Sequence, residues 1–451
     1  MEIKRTIVPF CISVHSLPFF LYNKEQHERV NEMDKSRKLR VMELFAGVGG
    51  FRLGLERANK DFFEVNWANQ WEPERKRQDA FECYVKNFKT GIHINEDIAK
   101  IPNEEFAKAQ PDLVVGGFPC QDYSVARSLS GEMGIKGKKG VLFWEIKRVL
   151  ENTHPKYVLL ENVDRLLKSP SKQRGRDFAV MLAVFRNLNY VVEWRVINAA
   201  DYGFAQRRRR VFIFAYKNVL NYAREQSKYS DEEIIFKKGF FAQGFPVREE
   251  PYKGRVSEVE LPKDIVEISD HFSFGFHPAG IMKDGKVYTA HPEPVVKDPI
   301  TLGEILQDES EVGEEFYLTE EEIEKFNYLR GPKREERIAP NGEKYYFTEG
   351  GMSPTDSLDL PGRTMLTSEG TVNRSTHIVE VNGRRRKLTP VECERLNGFP
   401  DGWTEGMSTR MRYFCMGNAL VVGLVEIMGR QIEKIERKEN VTSIQLESTL
   451  C

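Results

Sequence analysis

The chain has little cysteine, almost no excess of either charge and no long uninterrupted apolar run, and each shortage excludes something. Six cysteines in 451 residues, Cys11, Cys83, Cys120, Cys393, Cys415 and Cys451, are too few and too scattered for a disulfide framework. No two are spaced C-x-x-C, so no structural metal is expected. Lysine plus arginine (67) and aspartate plus glutamate (68) nearly cancel, for a formal net charge of -1. Composition therefore offers no basic footprint for nucleic acid, and any polyanion site must come from local clustering. The apolar stretch from Ile7 to Tyr22 is broken by Pro9, His15 and Pro18 and lacks a small-residue cleavage site. Export is discounted and a cytoplasmic, membrane-free protein is expected. With 40% hydrophobic and 30% charged residues, the composition is that of a soluble globular chain. Internal repeats and low-complexity tracts are absent as well.

What is present becomes regular from Arg40. A short apolar strand, Val41 to Phe45, runs into a glycine-rich turn and then an amphipathic segment from near Phe51. Further apolar runs follow at Glu64 to Ala68, Asp112 to Val115, Tyr157 to Leu160, Val191 to Ile197 and Val211 to Tyr216, several separated by room for a crossover helix. That alternation predicts an α/β fold with a mostly parallel sheet. The last two runs are close enough to pair as an antiparallel edge hairpin. From about 217 to 385 the rhythm is lost and charge, glycine, proline and aromatics dominate, which predicts a second, smaller and irregular domain. Helical signals return at Thr389-Pro390-Val391-Glu392, an N-cap followed by proline, and at Ala419 to Ile435, which Asn418 is placed to cap. Residues 1–38 are read as a poorly ordered extension, with Met33 an alternative start, and 437–451 as a polar, frayed tail.

Four segments carry chemistry. The turn Phe45-Ala46-Gly47-Val48-Gly49-Gly50 opens a helix after a strand, so its amides can approach a nucleotide-like ligand; a purely structural tight turn fits it too, and it is not G-x-G-x-x-G. Gly116-Gly117-Phe118-Pro119-Cys120 puts a thiol at a strand's carboxyl end, where open α/β sheets bind ligands, although a lone cysteine taken by itself is more often a buried structural residue. Leu159-Leu160-Glu161-Asn162-Val163 sets a carboxyl at a similar edge, able to act as a general acid or merely to cap a loop. In Gln206-Arg207-Arg208-Arg209-Arg210, strand alternation turns Arg208 and Arg210 one way and Arg207 and Arg209 the other.

In this order these segments resemble the DNA (cytosine-5) methyltransferase family of bacterial restriction-modification systems, over residues 40–216 and about 385–435. The resemblance implies a Rossmann-like S-adenosylmethionine-dependent fold, with 39–216 and 386–436 forming the catalytic domain and 217–385 a target recognition domain. It implies a cofactor site from Phe45, Gly47, Gly49, Gly50, Trp71, Asp97, Ile98 and Leu142, with Asn418 of Gly417-Asn418-Ala419-Leu420 returning to it. It implies catalysis by Pro119-Cys120, by Glu161 and Asn162, and by Gln206, Arg208 and Arg210. Arg395-Leu396-Asn397-Gly398-Phe399-Pro400 matches a further motif. Two departures stand out: the usual ribose-binding acid is Gln70, with Glu72 two residues on, and Ala419-Leu420 replaces Ser-Val.

The implied reaction is attack of the Cys120 thiolate on carbon 6 of a cytosine flipped out of duplex DNA, with Glu161 and Arg208 answering charge at ring nitrogen 3. Phosphate contacts are expected from the clusters at 136–139, 168–176 and 384–387, the first within a glycine-spaced segment, 131–140, suited to a mobile loop. Ser124 is expected near DNA, and base reading is expected from 217–385, where Arg363, Thr364, Asn373 and Arg374 suit major-groove hydrogen bonds. A monomer with a cognate restriction endonuclease as genetic partner is expected. A tRNA cytosine methyltransferase, a catalytically dead cofactor-binding regulator and a nicotinamide oxidoreductase are the competing readings.

Overall fold

The computed structural model describes residues 37–73, 75–118, 142–339 and 341–450, with side chains up to 442. Ten strands form one sheet: β1 (Leu39–Leu44), β2 (Phe63–Asn69), β3 (Ile92–Ile94), β4 (Leu113–Gly117), β5 (Tyr157–Val163), β6 (Tyr190–Asn198), β7 (Arg209–Lys217), β8 (Val256–Glu260), β9 (Ala279–Lys283) and β10 (Lys286–Ala290). Their spatial order is β3-β2-β1-β4-β5-β7-β6-β9-β10-β8. The core from β3 to β5 is parallel, and everything beyond β5 is antiparallel.

The strand runs read from sequence are all present, and β6 pairs with β7 as anticipated. That hairpin is not an edge, however. Val192 to Arg195 pair with β9, and the sheet continues through β10 to β8, all drawn from the region after 217. These late strands are short, two of them half polar, and their pairing is visible only once β6 offers its free edge.

Both faces of the sheet are covered. On one, α1 (Gly50–Asn59) packs against the C-terminal helix so closely that a Cβ on Gly54 would lie 2.6 Å from the Cβ of Val425. On the other, α2 (Leu142–Thr153) and α3 (Arg176–Asn187) bury Phe143, Ile146, Val149, Phe178, Leu182 and Phe185 against Val114, Val158 and Leu160. After β10 come α4 (Glu320–Arg330), a two-stranded ribbon of β11 (Lys333–Ile338) and β12 (Lys344–Glu349), and a short hairpin of β13 (Ile378–Val381) and β14 (Arg384–Lys387). The chain ends in α5 (Pro390–Leu396), α6 (Thr409–Asn418) and α7 (Val422–Leu450).

Thr389 caps α5 as the sequence predicts, accepting from the Glu392 amide while Glu392 reaches back to it. Two other expectations fail. Asn418 is the last residue of α6 and α7 begins at Val422, so Asn418 caps nothing ahead of it. Nor does helical structure stop at the polar tail: α7 runs to Leu450, and within it Glu436 and Glu439, polar in sequence, are buried and bound. Glu436 takes the Lys156 ammonium at 2.5 Å and the Tyr157 hydroxyl at 3.0 Å. Glu439 accepts the Asn221 and Tyr222 amides at 3.1 and 2.5 Å.

Candidate active site

In the order β3-β2-β1-β4-β5 all strands are parallel and the order of connection reverses between β1 and β4, which is where an open α/β sheet leaves a crevice at its carboxyl ends. The glycine turn leaves β1 there. Phe45, Gly47 and Gly49 have φ of 53°, 56° and 90°, a left-handed path that lifts the backbone into the crevice. A Cβ on Gly47 would meet nothing within 4 Å, so this turn borders open space rather than core. Gly49, at the start of α1, offers no side-chain cap; the Arg52 amide donates to the Glu43 carboxyl at 3.4 Å, so at most the Gly50 and Phe51 amides are left for a ligand. Behind the turn, Gln70 at the end of β2 accepts the Gly47 amide at 2.7 Å. From the chain's far end, the Trp403 indole donates to the Val48 carbonyl at 2.9 Å, and Leu420 lies against Gly50.

The other cofactor candidates line up around this turn to differing degrees. Leu142 begins α2 and, with Phe45, is half-buried against the same core. Trp71 is partly buried, with the Lys100 ammonium 5.8 Å from its ring centre. Asp97 uses one oxygen to accept the Ala99 amide at 3.1 Å. Ile98 turns its side chain into the core, where it is 3% exposed, so only its backbone is left to border a ligand. Asn418 is exposed two residues before Leu420. Because the Gln70 oxygen is occupied by an N–H, its NH2 group is the part left to meet a ligand. Glu72 has one oxygen 3.8 Å from Arg75 and the other buried without a hydrogen-bond partner among the described residues; burial pushes its carboxyl up from the usual range, with Arg75 opposing.

Glu161 sits within β5, not on a loop, and its Oε1 lies 2.9 Å from Nε of Arg210 on the adjacent antiparallel strand. Its other oxygen would be only 3.1 Å from a Cβ on Gly117, so the glycine ending β4 is what lets the carboxyl stand beside the strand that leads to Cys120. The Asn162 amide donates to the Phe118 carbonyl at 2.9 Å, pinning the chain just before Pro119. Pro119, Cys120, Ser124 and the glycine-spaced segment 131–140 lie outside the described residues.

The arginine pair divides as alternation predicts, with Arg207 and Arg209 exposed and Arg208 and Arg210 turned inward. Their roles differ from the expectation that Arg208 accompanies Glu161. Arg208 is 1% exposed and donates to the Met365 and Gly417 carbonyls at 3.1 and 2.9 Å. Burial, with Arg210 close by, pushes its guanidinium down to about 9. It is Arg210 that reaches the carboxylate. Gln206 is likewise fully buried, accepting the Met365 amide and donating to Asn397, both at 3.0 Å. Gln206, Arg208 and Asn397 thus tie β7 to the segment around Met365 and to α5 and α6. A buried polar residue amid arginines was the available signal for this, and Asn397 lay unassigned within its motif.

The residues expected to read bases are also engaged internally. Arg363 pairs with Asp356 at 2.6 Å, and Thr364 donates to the Arg207 carbonyl at 2.6 Å. Asn373 closes its own turn on Ser368 and Thr376, and Arg374 donates to the Leu329 and Gly350 carbonyls at 2.7 and 2.5 Å.

With this arrangement in place, comparison with known proteins decides the family. The family model for C-5 cytosine-specific DNA methylase matches residues 39–434. The chain belongs to that family. Type II methyltransferase M.Sau3AI from Staphylococcus aureus is 60% identical over 409 residues, 91% of this chain and 99% of the relative. Type II methyltransferase M.HhaI from Haemophilus parahaemolyticus is 27% identical over 394 residues, 87% of this chain and 94% of the relative. Among solved structures, a DNMT2 variant from Spodoptera frugiperda aligns with a TM-score of 0.55 at 14% identity, covering 88% of this chain and 98% of that one. Dnmt2 from S. pombe gives 0.54 at 16%, with 88% and 98% covered. These two show a shared fold. The protein is a DNA (cytosine-5-)-methyltransferase, and the resemblance drawn from its motifs is borne out.

Proposed function

We propose that this methyltransferase moves a methyl group from S-adenosyl-L-methionine to carbon 5 of a flipped cytosine in a short, specific double-stranded DNA sequence, through a covalent Cys120 adduct, and so protects host DNA from a cognate restriction endonuclease. The observation that carries the reading is Glu161, held by Arg210 at the end of β5 against Gly117 of β4, in the crevice the glycine turn enters. A tRNA substrate is not favoured, since the matching family is one of DNA methylases.

The open space beside Gly47, the uncapped start of α1 and the unpartnered oxygen of Glu72 fit a zwitterionic nucleoside ligand. Phe45, Gly47, Gly49, Gly50, Gln70 or Glu72, Trp71, Asp97, the Ile98 backbone, Leu142 and Asn418 would hold it. When bound, S-adenosyl-L-methionine supplies an electrophilic methyl group on sulfur. The chain supplies the rest. Carbon 5 of cytosine is a weak nucleophile, and addition of the Cys120 thiolate to carbon 6 turns the ring into an enamine whose carbon 5 can be alkylated. Charge pushed toward ring nitrogen 3 is met by the Glu161 carboxyl, which Arg210 orients. Loss of the carbon 5 proton to a base, by way of water, then expels the thiolate. Extruding the base costs a few kcal/mol of stacking, which protein contacts to phosphates offset.

Bisulfite sequencing of DNA from cells with and without this gene tests the reaction and gives its site. Cys120→Ser is expected to abolish turnover and also the covalent complex with a 5-fluorocytosine duplex, while S-adenosylhomocysteine still binds by isothermal titration; survival of either lost activity would overturn the nucleophile. Methyl transfer to tRNA but not duplex DNA would restore the alternative substrate.

A further inference from the structure

The ribbon of β11 and β12 pairs Lys333 with Glu349 through Ile338 with Lys344 and is separate from the ten-stranded sheet. Two isolated strands are marginally stable in water, so something must brace them. The brace is at the root. Arg330, the last residue of α4 and 1% exposed, donates to the Ser353, Pro354 and Thr376 carbonyls and pairs with Asp356 at 2.9 Å. Arg374 clamps Leu329 and Gly350 on either side of the ribbon and meets Glu349 at 3.1 Å. Asp356 also binds Arg363, whose neighbour Thr364 bonds to the Arg207 carbonyl, three residues before Arg210 on the chain entering β7. The four residues that sequence marked for base reading, or their partners, therefore form a rigid platform between the catalytic strand and this ribbon.

Beyond the platform the ribbon's outer face is unpartnered. By strand alternation it carries Arg334, Glu336 and Ile338 on β11 and Lys344, Tyr346 and Thr348 on β12, and all six are exposed. Ile338 is 69% and Tyr346 57% exposed, so this face presents an aliphatic and an aromatic side chain to solvent. Glu336 neutralises Lys344 at 2.7 Å, which leaves Arg334, stacked 4.8 Å from the Tyr346 ring centre, as the face's cation. At six residues a strand the ribbon is about 20 Å long, and the DNA major groove, about 12 Å wide, admits a two-stranded ribbon.

We propose that the outer face of the β11–β12 ribbon enters the major groove of the substrate duplex and is the specificity-determining surface, with Arg334 and Tyr346 at its centre, while Arg363, Thr364, Asn373 and Arg374 position it. This rests on the function proposed above and deepens it. Arg334 supplies a donor fork for a purine edge, Ile338 an apolar contact for a thymine methyl, and Thr348 and Glu336 smaller donor and acceptor groups. The ribbon's width against the groove, with the Arg334 guanidinium left unneutralised beside the Tyr346 ring, is what selects DNA over a second copy of the chain.

The test uses the full protein and a duplex carrying the site that it methylates in cells. In the double variant Arg334→Ala, Tyr346→Ala, affinity for that duplex is expected to fall about tenfold or more, with weaker discrimination against single-base mismatches. S-adenosylhomocysteine affinity and thermal stability should hold, because neither side chain touches the core. Ultraviolet cross-linking of 5-bromodeoxyuridine within the site should occur at Tyr346 in the native protein. Native duplex affinity and discrimination in the folded variant would overturn the proposal, as would a change in oligomeric state without a change in DNA affinity. If the unaltered protein transfers methyl groups to no duplex while binding cofactor, the failure lies with the reaction itself, and the ribbon's role falls with it.

Discussion

Arg208, just before β7, and Arg210, within it, stand two residues apart and both turn inward, yet one holds the protein together and the other holds the carboxyl at the crevice. Removing the first strands two buried carbonyls and a buried amide network. Arg208→Gln should therefore cost about 2–4 kcal/mol of stability in urea unfolding. Arg210→Gln should leave stability near native and lower kcat by about 100-fold, since it removes only the group that orients Glu161. Equal effects of both on stability would refute that division. Glu43 offers a second test at this scale. It lies fully buried beneath the glycine turn, 2.7 Å from the Tyr84 hydroxyl, and burial pushes its carboxyl up to about 7. Glu193, buried in β6, is pushed up to about 7 by burial as well. The folded state thus binds more protons than the unfolded one, so the stability these groups contribute is full below about 4.5 and is lost as pH rises through about 7. Each contributes on the order of 3 kcal/mol across that window. Urea unfolding between pH 5 and 7.5 should show a falling stability whose slope is roughly halved in Glu43→Gln; an unchanged slope would count against it.

At the scale of elements, α7 departs furthest from its appearance in sequence. Its second half reads as a polar tail because charged residues crowd it, but Glu436 and Glu439 each meet donors on other elements, Lys156, Tyr157, Asn221 and Tyr222. Ending the chain after Lys434 should leave the Tyr157 hydroxyl and the amides of Asn221 and Tyr222 without acceptors. The shortened protein is expected to lose about 2–5 kcal/mol of stability in denaturant, by analogy with removing one partner of a buried charged pair, and a midpoint unchanged from native would show that the tail is dispensable. The start of α5 was legible by contrast, since a capping box is a pattern within four residues.

For the whole molecule, the region after 217 has two fates. Its first part, through β10, completes the large sheet against β6; its later part carries the platform and the ribbon. An exchange of segments with a related methyltransferase should respect that seam. Replacing 297–375 is expected to move sequence specificity and keep the fold, whereas replacing 217–385 removes three strands from the sheet and should give poorly folded protein by circular dichroism. Specificity that stays with the recipient after the smaller exchange would remove the recognition role from this part of the chain.

The sequence alone determined the parallel core, the glycine turn at its switch point and the carboxyl beside the strand leading to Cys120, because strand runs, turns and caps are written in neighbouring residues. Only the tertiary structure decided which arginine meets Glu161, that Gln206 and Arg374 are braces, that β6 is not an edge, and that β11 and β12 stand out as an exposed ribbon. Each of those depends on a partner far along the chain: a guanidinium looks the same in sequence whether it meets a carbonyl, a carboxylate or water, and only the packed fold supplies the one it meets.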